Sequence, residues 1–273
     1  MLDSFGRSID YLRISVTDRC NLRCFYCMPE EGIELLKHEA ILSYEAITQV
    51  AQKAVKLGFT KIRLTGGEPL IRKNIVDLVA MLSNISGIKT IAMTTNGTLL
   101  SDLAQELKNA GLTSINVSLD TMDSTLYSII TRGGSLDAVL KGIYAAKNAG
   151  LAIKINTVVL DTALPILAEQ NCKQDIEAVR SFADSIGAQF QRIAQYNLAH
   201  IKQDYSEIER PPACASCNRL RLLANGVLRP CLHSNIEIPI DFTNIEASIK
   251  SAIALKPAHG LSCTGLTVGQ IGG

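Results

Sequence analysis

The sequence predicts an α/β fold, a partial (β/α)6 barrel followed by a C-terminal extension, on three observations. Short runs rich in Ile and Val recur six times, helix-length amphipathic segments separate them, and polar residues gather where the runs end. Strands that alternate with helices imply a parallel sheet with right-handed crossovers. Six such units suit an open or partial barrel better than a closed one of eight. The expected strands are residues 11–16, 61–65, 90–94, 114–118, 152–159 and 190–193.

The connecting elements follow in order. After the first strand, Ser43 offers an N-cap, and Tyr44, Ile47, Val50, Ala51, Ala54 and Val55 recur at helical spacing until Gly58 stops the run. Later helices at 102–110 and 136–149 stop at Gly111 and Gly150. Asp120 and Asp123 are expected to cap the helix that follows the fourth strand. Further on, Asn225 and Gly226 form a hairpin turn between the apolar runs 220–223 and 227–228, which brings Cys231 back towards Cys217. Thr17, Asp18, residues 65–69 and 94–97, Ser118, Asp120, Asn156 and Thr157 fall at or beyond the C-terminal ends of strands, where parallel sheets place their active sites. Gly66 and Gly67 lack a β-carbon, so their backbone can approach a ligand and offer amide donors.

Composition excludes several classes. The 273 residues are 47% hydrophobic, enough for one large core with an appendage. Lys plus Arg number 27 against 26 Asp plus Glu, and a net charge of +1 gives no general case for nucleic acid or an anionic membrane. Any anion site must be local. No stretch reaches the about 18 apolar residues of a membrane span, and MLDSFGRSID lacks the apolar core of a signal peptide. A cytoplasmic protein is expected, in which eight cysteines stay reduced.

Two cysteine groups carry the chemistry. Cys20, Cys24 and Cys27 form C-x3-C-x2-C in the run CNLRCFYC. Three closely spaced thiolates suit an iron-sulfur cubane with one iron left open, whereas a structural zinc site takes four ligands and no His stands nearby to complete it. Cys214, Cys217 and Cys231 form a second incomplete set, C-x2-C-x13-C. Zinc stays open there, because Cys172, Cys263 or His233 could complete a tetrahedral site. Cys172 otherwise reads as a small packing residue, and the His residues show no ligand spacing among themselves.

The first cysteine loop, Tyr26 before its last cysteine and the downstream run Gly66, Gly67, Glu68, Pro69 together resemble the radical S-adenosylmethionine (SAM) superfamily. With the second cysteine group, the run GRSIDYLRISVTDRCN and the terminal Gly272 and Gly273, the chain resembles the GTP 3',8-cyclase family of molybdenum-cofactor biosynthesis. That resemblance implies a lyase with SAM and two 4Fe-4S clusters. It assigns Tyr26, Gly66, Gly67, Glu68 and Ser118 to SAM, and Arg13, Arg63, Thr94, Lys154, Arg219, Leu220 and Arg221 to GTP. It implies residues 1–195 as the barrel and residues 196–273 as the extension, whose terminal glycines reach into the site. It also implies an electron donor such as flavodoxin or ferredoxin and a downstream cyclic pyranopterin monophosphate synthase, with a homodimer left open. The chain departs from the family between Asp161 and Pro212, where it is shorter, and around residues 191–197, where it matches poorly. These losses are expected to trim the end of the barrel. They leave two alternatives: a paralogue with both clusters that acts on a peptide or another nucleotide, and a non-catalytic iron-sulfur or electron-transfer protein.

Overall fold

Along the barrel strands, apolar and polar side chains alternate, and the two sets face different layers. In the computed structural model, which describes residues 1–160, 173–195, 197–203, 208 and 213–271, six parallel strands run in chain order: β1 (Tyr11–Ser15), β2 (Lys61–Thr65), β3 (Thr90–Thr95), β4 (Ser114–Ser118), β5 (Ala152–Val159) and β6 (Gln189–Ala194). Every expected strand is present, to within two residues at each end. The last one keeps six residues, so the departure from the family pattern does not remove the end of the barrel.

Helices cover the apolar face. They are α1 (Tyr44–Lys56), α2 (Ile75–Ser83), α3 (Leu100–Asn109), α4 (Ser124–Thr131), α5 (Leu136–Asn148) and α6 (Ile176–Ser185). Leu12, Ile14, Leu64, Met93, Ile115, Val117 and Ile155 of the strands form one core with Ile47 and Val50 of α1, Leu78 of α2, Leu107 of α3 and Ile143 of α5. The Ser43 hydroxyl accepts from the Ala46 N–H and starts α1 as expected. Asp123 caps α4 through the Leu126 N–H, at 2.8 Å. Asp120 does not cap that helix, and its partners lie in the site described below.

The extension joins the same sheet rather than forming a separate layer. Strand β7 (Arg219–Leu222) pairs in parallel with the free side of β1, and β8 (Val227–Arg229) and β9 (Ile238–Pro239) follow antiparallel. The order is β6-β5-β4-β3-β2-β1-β7-β8-β9. The expected hairpin is present, with Gly226 at φ +82°. Helix α7 (Ile245–Ala254) packs its Ile245, Ile249, Ala252 and Ile253 into the core, and a short α8 (Val268–Ile271) closes the described chain. Cys172, Gly272 and Gly273 lie outside the described residues. Among the described residues, no helix is long and apolar enough to cross a membrane.

Candidate active site

The inner, polar face of the sheet lines two adjoining cavities that share Thr94, Asn156 and Ile193. Each contains one of the cysteine groups.

Cys20, Cys24 and Cys27 line the first cavity together with Tyr26, Gly66, Gly67, Ser118 and Asn96. The loop follows β1 and turns at Cys24, whose carbonyl accepts from the Cys27 and Met28 N–H groups at 2.9 and 3.0 Å. The end of α4 fastens it. Thr131 and Ile130 carbonyls accept from the Arg23 and Phe25 N–H groups, and the Arg132 guanidinium donates to the carbonyls of Arg23 and Met28. Burial, with neighbouring acidic groups, pushes the Cys24 thiol far up, and burial beside Cys20 pushes Cys27 up to about 12. Thiols of this kind hold their protons until a metal displaces them. Three such thiols on one cavity wall are a donor set that could hold an iron-sulfur cluster.

Both glycines line the cavity, but the Gly67 amide is spent within the chain. The Gly67 N–H donates to the Thr17 carbonyl at 2.9 Å, and the Glu68 N–H donates to the Arg19 carbonyl at 2.8 Å. A β-carbon at Gly66, where φ is +148°, would stand 2.4 Å from the Thr17 oxygen, and one at Gly67 would stand 2.2 Å from that of Arg19. The glycines thus let the segment after β2 lie directly against the start of the cysteine loop. Glu68 is fully buried beneath them. Its carboxylate accepts from the Leu70 N–H, the Thr95 hydroxyl and the Asn96 N–H at 3.0, 2.6 and 2.6 Å. Asn96 in turn donates to Asn21 at 2.8 Å, beside Cys20. Glu68 is therefore a brace under the loop and does not line the cavity.

Burial raises Glu68 to about 7 although three donors favour its ionised form. Burial likewise raises Asp120 to about 6, where it accepts from the Tyr26 hydroxyl at 2.6 Å and the Val158 N–H at 2.8 Å. Tyr26 is thereby tied to the strand side of the cavity. A group raised from 4.5 to about 7 on folding contributes stability that is complete below pH 4.5 and lost as pH rises through 7. For the metal-free chain this amounts to about 3 kcal/mol. Glu68→Gln is expected to remove that part of the pH dependence, leaving the fall contributed by Asp120 and, above pH 6, the opposing rise contributed by Cys217; denaturant titrations of both proteins between pH 4 and 8 check it, and parallel curves would sink the assignment.

Cys214, Cys217 and Cys231 line the second cavity with Arg13, Arg63, Arg219 and Arg221. Strand register explains the convergence: Arg63 of β2, Arg13 of β1 and Arg221 of β7 stand side by side across three strands, and Arg219 stands beside Tyr11. Burial, followed by the charges of Arg221, Arg63 and Arg219, holds the Arg13 pKa below that of a solvated guanidinium. Arg63 donates to the Tyr11 hydroxyl and, at 3.2 Å, to Thr94 Oγ1, which orients both towards the cavity. Among the described residues, no Asp or Glu lines this cavity. Burial pushes the Cys217 thiol up, but the charges of Arg219 and Lys256 outweigh it and bring the group to about 6.

One expected residue faces elsewhere, and another lies on the inner face without lining either cavity. Leu220 alternates with Arg219 and Arg221, so its side chain lies in the helix-side core. Lys154 is in register with Asn116 but lines neither cavity. Cys263 is also apart from the second group, packed with Leu198, Leu223, Leu232 and Ile271 and approached by the Arg229 guanidinium at 3.4 Å. His233 does line the second cavity. Sequence reasoning did not single out Tyr11, Asn116, Gln191, Lys202 and Lys256, all of which line it too. For Tyr11, Asn116 and Gln191 the signal was available, because each occupies an inward position of its strand.

The model of the radical SAM superfamily matches residues 14–163. Solved structures of the same architecture include Streptococcus suis SuiB bound to S-adenosylmethionine, with TM-score 0.63, 17% identity, and coverage of 89% of this chain and 68% of that one. Native anSMEcpe with bound AdoMet gives TM-score 0.63 at 14% identity, covering 91% and 81%. The fold and the cysteine loop therefore define a member of the radical SAM superfamily, a class whose members carry a 4Fe-4S cluster and use SAM. Within that class, a GTP 3',8-cyclase of Thermodesulfovibrio yellowstonii is 41% identical over 311 residues, covering 96% of both chains, and one of Peptoclostridium acidaminophilum is 42% identical over 277 residues, covering 88% of this chain and 85% of the relative. The chain belongs to the GTP 3',8-cyclase family. An alignment of 311 residues exceeds the 273 of this chain, so the first relative carries residues that this chain lacks.

Proposed function

We propose that this chain is a radical SAM lyase that cleaves SAM reductively and cyclises GTP to 3',8-cyclo-7,8-dihydro-GTP in molybdenum cofactor biosynthesis. The observation that carries the reading is the in-register row Arg63, Arg13, Arg221 inside a cavity without a described carboxylate, next to a second cavity with three thiols. Cys20, Cys24 and Cys27 would hold a 4Fe-4S cluster, which when bound would supply the one-electron reduction of SAM on which hydrogen abstraction from GTP depends. The chain's residues bind and orient. Tyr26, Ser118 and the backbone at Gly66 and Gly67 bound the SAM side; Glu68 keeps that wall in place from behind. Arg13, Arg63, Arg219 and Arg221 take the triphosphate, since guanidinium groups offer paired donors to phosphate oxygens, and Thr94 stands between the two cavities.

In this reading Cys214, Cys217 and Cys231 would hold a second 4Fe-4S cluster, which would supply a binding point for the guanine base. Residues 1–195 form the radical-generating unit and 196–273 the part that completes the substrate cavity. The protein is cytoplasmic, draws electrons from a flavodoxin or ferredoxin, and passes its product to a cyclic pyranopterin monophosphate synthase. One observation favours a second reading, a different nucleotide as substrate: Lys202, from the stretch where the chain departs from the family pattern, lines the second cavity. An anaerobic reaction of reconstituted protein with SAM, dithionite and GTP, read by mass spectrometry, tests both. The cyclase yields 5'-deoxyadenosine together with a GTP isomer; deoxyadenosine alone would keep the radical chemistry and remove GTP as the substrate.

A further inference from the structure

Lys256 is an unusual residue to find in a wall of arginines. It follows α7, is only 3% exposed, and pairs with no carboxylate among the described residues. Its ammonium donates to the carbonyl of Arg219 at 2.8 Å and to that of Pro230 at 2.6 Å. Arg219 opens β7, two residues after Cys217, and Pro230 follows β8, immediately before Cys231. Lys256 therefore closes the open end of the hairpin whose other end is the Asn225-Gly226 turn.

Its neighbours repeat the pattern. The carbonyls of Pro257 and Ala258 accept from the Arg7 guanidinium at 2.7 and 3.1 Å, and Arg7 also donates to the Cys214 carbonyl at 2.9 Å. The Gly260 N–H points at Cys214 Sγ, at 3.4 Å. One short segment thus touches the backbone or sulfur around each of the three cysteines. Arg7 has its carboxylate in Asp3, at 2.6 Å. Lys256 has two carbonyl oxygens, which take two of its three hydrogens but carry no net charge. A buried cation without an anion is costly, and the three cysteines are the sulfur ligands in its cavity that could supply the opposite charge on binding metal.

We propose that Lys256 is a positioning residue for the second cysteine group: its ammonium holds the strand ends that carry Cys217 and Cys231 at a fixed separation and supplies the counter-charge for the iron-sulfur cluster those thiolates bind. This rests on the second-cluster reading above. The tether and the charge separate by substitution. Lys256→Met removes both, Lys256→Gln keeps an amide donor and loses the charge, and Lys256→Arg keeps the charge.

The test uses the full chain with Cys20, Cys24 and Cys27 changed to Ala, so that bound iron belongs to the second group. After anaerobic reconstitution with ferrous iron and sulfide, two quantities are read: the rate of iron loss to a chelator, and the midpoint potential followed by electron paramagnetic resonance. Lys256→Met and Lys256→Gln are expected to lose iron about tenfold faster than the parent, with a midpoint moved to more negative potential because a nearby positive charge no longer favours the added electron. Lys256→Arg is expected to restore the potential. Unchanged loss and potential in Lys256→Gln would overturn the inference and leave the second cluster standing. A parent that binds no iron would remove the second cluster and the inference together. Thermal melting controls for folding, and if Lys256→Met does not fold, the Gln and Arg pair decides.

Discussion

Changing Cys24 to Ser is expected to abolish the formation of 5'-deoxyadenosine from SAM. The substitution is nearly isosteric, and the turn at this position is made by the Cys24 carbonyl, which accepts from the Cys27 and Met28 N–H groups. The bonds that fasten the loop, to the Ile130 and Thr131 carbonyls and from the Arg132 guanidinium, do not involve the sulfur either. The fold should therefore survive, and the loss should fall on the metal site alone, since a hydroxyl is a poor substitute for a thiolate on iron. Mass spectrometry after reaction with SAM and dithionite measures the product, and iron analysis shows whether the second group keeps its share. Continued cleavage in this variant would take the first cysteine loop out of the mechanism.

The arginine row gives a second large effect with an unusual signature. Arg13 and Arg221 stand in register on adjacent strands, with Arg63 on the other side, and like charges placed directly opposite in a sheet oppose folding. A hydrogen bond to a charged group is worth about 2 kcal/mol, so removing two such guanidiniums should weaken GTP binding by roughly a thousandfold. The double change Arg13→Ala, Arg221→Ala is thus expected to cost most of the affinity while leaving the metal-free protein as stable as before or more so. Calorimetric titration with GTP and thermal melting without it read the two effects separately. SAM cleavage without nucleotide should persist. Unchanged GTP affinity would move the substrate away from this row, and a large fall in stability would make these residues structural.

Local chemistry explains what was legible beforehand. The six strands were readable because each one shows apolar residues to the helices and polar ones to the cavities, as Leu12, Arg13 and Ile14 do on β1. Ser43 and the Asn225-Gly226 turn were readable because caps and tight turns are written within a few residues. The cysteine groups stood out by spacing. Sheet order across long distances was not readable: nothing near residue 219 says that β7 pairs with β1, yet that pairing sets Arg221 beside Arg13. Glu68 sits in a motif that reads as ligand-facing, and only the positions of Thr95 and Asn96 show it turned into the core. Leu220 shares a run with two arginines, but the strand's own alternation sends it to the opposite face. Lys256 and Arg7 act through backbone carbonyls, and such contacts leave no pattern in a sequence.

The place of β7 also governs how the molecule is made. Asn218 donates to Asp10 at 2.6 Å across 208 residues, and the pairing of β1 with β7 begins at the next position. A chain leaving the ribosome from its N-terminus can assemble β1 to β4 early, with the first cysteine loop already beside its partners at Gly67 and Thr131. One edge of β1 must then wait, unpaired, until almost the whole polypeptide exists. Contacts so distant in sequence form slowly, and an open strand edge invites pairing with other chains in the interval. Slow synthesis or truncation before residue 222 should therefore yield a species complete around its first metal loop but prone to aggregate along β1.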